Sequence, residues 1–215
     1  MRSDRATTLA ACLLVALTGT ARPGRAGEIA AEGQAGYRSL AFSNTAQALF
    51  DSTGGGTFGG ALRYTFWRGA FVSAGYRTFS KDGERVFVAS STAPVQKLGF
   101  PLSLKIDSIP LMAGYRFRTG HTIVPYAAVG ASITKYDETS EVAGQSFDES
   151  VSKTGFVVAG GVEVGRGIFR FGAEAGYTTV SGAIGKDGVS KVYGEDDIGG
   201  FHAVGKVILA FGVGK

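Results

Sequence analysis

Ser108-Ile109-Pro110-Leu111-Met112-Ala113-Gly114-Tyr115-Arg116-Phe117-Arg118 repeats every two residues. Ile109, Leu111, Ala113, Tyr115 and Phe117 share one parity, while Ser108, Gly114, Arg116 and Arg118 share the other with Pro110 and Met112. Successive side chains of an extended strand point to opposite faces, so this stretch has one apolar face and one that is mostly small or charged. An apolar face toward lipid and a charged face toward a lumen describe one strand of a transmembrane barrel.

Seven further stretches alternate in the same way, and the eight predicted strands cover residues 34–42, 57–66, 70–79, 106–117, 122–135, 154–164, 168–180 and 198–213. Most are about ten residues long, as a tilted strand needs to cross the hydrocarbon layer. Short connections rich in Gly and Arg (67–69, 118–121, 165–167) alternate with long ones (43–56, 80–105, 136–153, 181–197). Bacterial barrels show the same rotation of periplasmic turns and extracellular loops. The expected fold is therefore all-β, an eight-stranded antiparallel up-and-down transmembrane β-barrel over residues 27–215, with both chain ends in the periplasm.

A soluble barrel or sandwich would also alternate, but its hairpins need not switch between long and short, and its outer face would be polar. Here the parity assigned outward includes Phe58, Leu62, Tyr64, Phe66, Val72, Tyr76, Phe169, Phe171, Tyr177, Leu209 and Phe211. No later segment has the roughly 18 consecutive apolar residues of a spanning helix. A closed barrel is then what satisfies every backbone group in lipid.

The first 26 residues read as a secretory signal: Arg2 and Arg5, an apolar run from Leu9 to Leu17, and small residues up to Ala26 before cleavage. Leu9-Ala10-Ala11-Cys12 matches a lipoprotein box, yet most of the apolar run follows the cysteine where such a box needs it before. Cys12 is the only cysteine, so disulfides and thiolate metal sites are excluded from the exported part. Arg2, Arg5, Arg22 and Arg25 against Asp4 account for three of the four net positive charges, and the pI of 9.2 gives no ground for nucleic-acid binding.

The inward parity collects Arg38, Arg63, Arg77, Arg116, Arg118, Glu163, Arg170, Glu174 and Lys206, interleaved with glycines such as Gly36, Gly114, Gly161, Gly172 and Gly176. An eight-stranded barrel is only wide enough to be filled by its own side chains. Charges in it must pair or meet trapped water. Arg38, Arg63, Glu163, Arg170, Glu174 and Lys206 are the candidate lumen charge network, with Arg63, Glu174 and Lys206 near mid-strand as its buried part. Seven cations against two carboxylates leave an excess, so Arg116, Arg118 and Arg170, near the periplasmic rim, are expected to reach water or counter-ions.

Catalytic patterns are poor. His121 falls in a turn and His202 near the outer end of the last strand, with only Ser181 as a remote partner for a nucleophilic site on the outer rim. Asp187, Glu195, Asp196 and Asp197 carry the oxygens calcium needs but not the spacing of a cation loop. Gly54-Gly55-Gly56 lacks the Lys-Ser/Thr and the helix of a phosphate cradle. No enzyme, metal or cofactor is expected.

Ile109-Pro110-Leu111-Met112-Ala113-Gly114-Tyr115-Arg116-Phe117, Val124-Pro125-Tyr126-Ala127-Ala128-Val129-Gly130-Ala131 and Gly160-Gly161-Val162-Glu163 resemble the outer membrane protein beta-barrel domain family. This group includes the transmembrane domain of outer-membrane protein A and the outer-membrane W proteins. The resemblance implies the eight-stranded fold, with inward charges in the first relatives and a narrow hydrophobic conduit in the second. It also implies outer-membrane lipid and the barrel-insertion machinery as partners. Such chains usually finish on an aromatic recognised by that machinery, whereas this one ends Phe211-Gly212-Val213-Gly214-Lys215, leaving Phe211 to serve from an offset position. Anchoring to the cell wall through a following peptidoglycan-binding domain is not expected.

Two functions fit this reading. One is a mostly plugged structural or surface-interaction barrel that meets an extracellular ligand through residues 80–105 and 136–153. The other is a narrow transporter for small anionic or amphiphilic molecules. Within 80–105, Val86, Phe87, Val88, Leu98 and Phe100 suggest a hairpin that rises beyond the bilayer with an apolar surface of its own.

Overall fold

Eight strands close into one barrel in which each is antiparallel to its neighbours and the last pairs with the first. A computed structural model describes residues 27–117, 121–142 and 144–213. Residues 1–26, the expected secretory signal with Cys12, lie outside the described residues, as do Arg118, Gly214 and Lys215. The strands are β1 (Gly27–Ser39), β2 (Gly54–Thr65), β3 (Ala70–Phe87), β4 (Gln96–Arg116), β5 (Ile123–Val142), β6 (Gln145–Gly165), β7 (Phe169–Thr179) and β8 (Gly200–Val213). Helix α1 (Ser43–Phe50) joins β1 to β2, and α2 (Gly188–Tyr193) lies between β7 and β8. The β2–β3 turn is a single 3-10 turn, Trp67–Gly69, in which Arg68 and Gly69 both have positive φ.

The exposed apolar residues form a belt around this barrel. Phe58, Leu62, Val72, Tyr76, Ile109, Leu111, Tyr115, Phe169, Phe171, Tyr177, Val207 and Phe211 all point out. Aromatic pairs mark the end with the short connections, with Tyr64 stacked on Phe66 and Tyr115 edge-on to Phe117. At the other end the belt stops abruptly. Beyond Ile109 and Ile133 the outward positions are Lys105, Asp107, Lys135 and Asp137, which oppose one another across β4 and β5 as Lys105↔Asp137 and Asp107↔Lys135. Lys105 bridges Asp107 at 3.0 Å and Tyr76 donates to the same carboxylate at 2.8 Å. Paired charges below which only apolar side chains follow mark the outer edge of the hydrocarbon layer.

Three expectations are corrected. The first strand begins at Gly27 rather than at residue 34 and ends at Ser39. The segment expected as a long loop over 136–153 is mostly sheet, because β5 pairs with β6 far beyond the membrane edge, as β3 does with β4 in the rising hairpin expected within 80–105. A backbone that leaves lipid does not need to leave its ladder, since hydrogen bonds are satisfied equally well above the bilayer. The expected apolar surface of that hairpin is also divided. The β3–β4 register shifts between Glu84 and Val86, with Gly99 at φ 75 donating its N–H to Glu84 Oε1. Past this bulge Val86 and Val88 turn over the barrel mouth and are buried, while Phe87 and Leu98 stay exposed.

What Val86 and Val88 cover is a second core. Phe79, Leu102, Leu104, Ile106, Tyr136, Val180 and Ile198 fill the outer end of the barrel, and Phe42, Ala46, Leu49 and Phe50 descend onto them from α1 and its N-terminal flank. The Phe42 ring meets Tyr136 edge-on at 6.5 Å between centroids. Val189, Val192 and Tyr193 of α2 pack on the same cluster. The inward face thus changes from charged at mid-barrel to apolar at the outer end.

Candidate functional site: the charged lumen

Inward positions of β1 run Glu28, Ala30, Glu32, Gln34, Gly36 and Arg38, so beginning this strand at Gly27 brings two further carboxylates into the lumen. A chain of alternating charges follows. Arg170 and Arg116 both bind Glu28, at 3.0 Å and 2.7 Å. Arg116 reaches on to Glu163 Oε2 at 2.8 Å, and the other oxygen of Glu163 binds Arg63. Arg63 contacts Glu32 Oε1 at 3.0 Å, and Glu32 Oε2 lies 3.0 Å from Lys206 Nζ. Lys206 binds Glu174, which closes on Arg77 at 3.1 Å. The Tyr126 hydroxyl donates to Glu174 Oε2 at 2.8 Å, and Gln34 accepts from Arg77 at 2.8 Å. Five cations therefore alternate with four carboxylates along the barrel axis.

Glycine explains how such side chains fit. Glu163 and Lys206 each face Gly172 on the adjacent strand, Glu174 and Tyr126 face Gly161, and Arg38 faces Gly55. Two positions show how little room is left. A Cβ on Gly161 would sit 2.6 Å from the Tyr126 hydroxyl, and one on Gly114 would sit 2.5 Å from the Phe71 ring. Two rings also shield the cations: Arg63 stands over Phe71 at 5.5 Å and Lys206 over Tyr126 at 5.2 Å.

The expected excess of seven cations over two carboxylates is reduced, since Glu28 and Glu32 supply two further acids and, among the described residues, six cations face four carboxylates. Arg116 is buried and doubly paired rather than solvated at a rim. Arg170 is partly exposed but also bound to Glu28. Arg63 does not touch Glu174 within ion-pair distance; they communicate through Glu32 and Lys206. Arg38 stands apart, with only Ser108 Oγ at 3.4 Å and the carbonyl of Ile198 at 2.9 Å as partners. The signal for Glu28 and Glu32 was present in the sequence, because both share the parity of Arg38. His202 shares the parity of Lys206 in the same way and is also inside, 3.5 Å from Glu174.

His202 is buried while Ser181 is exposed on the cap, so the geometry does not assemble a nucleophilic site from them. His121 is exposed in its turn. The acidic residues before β8 serve the backbone. Glu195 accepts from the amides of Asn44 at 2.9 Å and Thr45 at 2.8 Å, and Asp197 accepts from those of Val180 at 2.6 Å and Gly199 at 2.7 Å. Glu195 thus binds the open N-terminus of α1 and ties the last loop to the first.

The family described as outer membrane protein beta-barrel domain matches residues 8–203. No curated relative matches the chain. Among solved structures, Neisserial surface protein A is 16% identical, with a TM-score of 0.51 over 86% of this chain and 97% of that one. A major outer membrane protein from Thermus thermophilus is 9% identical, with a TM-score of 0.50 over 86% of this chain and 99% of that one. These two likenesses show the fold.

Proposed function

The chain belongs to the outer membrane protein beta-barrel domain family and resides in the bacterial outer membrane; on that premise we propose that it is a closed, non-enzymatic barrel acting as a structural and surface-interaction protein. One observation carries this reading: the lumen is filled twice in series, by the alternating chain from Arg170 to Arg77 and by the apolar cap of Phe42, Phe79, Leu104, Ile106 and Ile198. A solute would have to break ion pairs in a water-poor interior and then part a packed core. The transporter reading has no comparable support, because among the described residues the apolar cap lies in series with the charged chain.

The surface role is drawn from the outer sheet. The upper parts of β3 to β6 form a sheet standing above the paired charges at Lys105 and Lys135, with Phe87, Leu98 and Phe147 exposed on it. The same segments, 80–105 and 136–153, are where an extracellular ligand is expected. Residues 1–26 act as a cleaved export signal, and exposed Phe211 presents the terminal aromatic to the barrel-insertion machinery. Proteoliposome swelling tests the closure. Vesicles carrying the protein should swell no faster in small sugars or salts than empty ones, and rapid swelling would refute it.

A further inference from the structure

Arg38 is the one cation of the lumen, among the described residues, that the alternating chain leaves out. It is 5% exposed, and no carboxylate of the described residues lies within ion-pair distance of its guanidinium. Asp197 attracts it only from farther away, and that carboxylate already accepts two backbone N–H groups. A buried guanidinium without a counter-charge is costly. Beside it is a small cavity of about 10 Å³ with Arg38, Arg77, Ser108 and His202 on its polar side, Pro110 and Val157 on its apolar side, and no carboxylate in its lining.

The wall is rich in unused donors. Ser108 Oγ accepts from Arg38 and from Thr134, both at 3.4 Å, so its own hydrogen is free. Arg77 Nε and His202 Nε2 are buried with no hydrogen-bond partner; the 3.5 Å from His202 to Glu174 is too long and too poorly aligned for one. Lys206 and Tyr126 take Glu174 Oε2, while Oε1, the oxygen that faces His202, is already held by Arg77 at 3.1 Å. A site with donors on several sides, an unpaired cation and room for one water-sized particle is built for a small monovalent anion.

We propose that the cavity between Arg38, Ser108 and His202 binds a single halide-sized anion that supplies the counter-charge Arg38 lacks. Chloride is slightly larger than water, so the wall has to move outward slightly to admit it, while the Ser108 hydroxyl turns its hydrogen toward the anion. This site goes beyond the closure argued above: a barrel that stays shut yet binds no halide would overturn the site and leave the closure intact.

The test uses the full-length barrel refolded in detergent. Crystals grown in sodium bromide should show an anomalous peak within hydrogen-bond distance of the Arg38 guanidinium. At constant ionic strength the urea midpoint should be higher in sodium bromide than in sodium gluconate, whose anion is too large to enter. With bromide at about 100 times its dissociation constant, the folded state should gain about 100-fold in population. Arg38→Gln should abolish the difference between the two salts, and Ser108→Ala, which keeps the guanidinium, should require several-fold more bromide for the same gain. Equal midpoints for the wild-type protein in both salts, or a cavity that holds only water in bromide crystals, would overturn the proposal even if Arg38→Gln fails to fold.

Discussion

Each carboxylate in the lumen serves two cations, so the cost of removing one is set by what it leaves behind. Glu32→Gln would leave Arg63 with Glu163 alone and Lys206 with Glu174 alone, inside a barrel where neither cation can move to water. Breaking a buried pair in this way typically costs about 3 to 5 kcal/mol, and urea unfolding of the barrel in lipid should show a loss of that size. Outward positions obey a different rule. Leu111→Arg places a charge in lipid and should cost about 2 to 4 kcal/mol if it lies at the midplane, measured by the same unfolding. Above the membrane, Asp51 holds the Lys97 ammonium above its ordinary value through a hydrogen bond and attraction at 2.6 Å. A group raised on folding stabilises below its unfolded pKa and loses that effect as pH rises through the folded one. Lys97 is solvent-exposed, so the consequence to measure is its titration: by NMR its pKa should fall toward the ordinary lysine value in Asp51→Asn.

At the scale of elements, the cap depends on a helix that the two-residue period could not reveal. Helix α1 has no side-chain cap of its own; its first amides are bound by Glu195 from the far loop. Glu195→Ala should cost about 1 kcal/mol, as loss of an N-cap does, and should speed hydrogen exchange at Asn44 and Thr45. Unchanged exchange there would show that the loop does not hold the helix. The strands themselves were legible because lipid on one side and a charged lumen on the other impose a strict alternation. Their outer ends were legible only for the hairpin within 80–105, because above the bilayer both faces of β3 to β6 meet water or the cap and the constraint disappears. The carboxylates Glu28 and Glu32 were readable from the parity of Arg38, but the stretch Glu28-Ile29-Ala30-Ala31-Glu32 shows only one large apolar side chain. The separation of Arg38 from the alternating chain was not readable, since parity gives a side chain's face but not its partner.

At the scale of the whole molecule, the two fillings of the lumen act in series. Either alone should block passage, so Glu174→Gln, which loosens the charged chain, and Phe42→Ala, which thins the cap, should each conduct little. Combining them should open a small path that favours anions, because the remaining ring of cations lowers the barrier for negative charge. The cap substitution should cost about 3 to 5 kcal/mol on its own, as removal of a buried phenylalanine does. The most direct measurement is single-channel recording on the wild-type barrel in a planar bilayer, beside the double variant. The wild type is expected to give no resolved current steps and the double variant small anion-favouring ones. A large, steady, cation-selective conductance from the wild-type protein would contradict the closed lumen and the charge assignment within it.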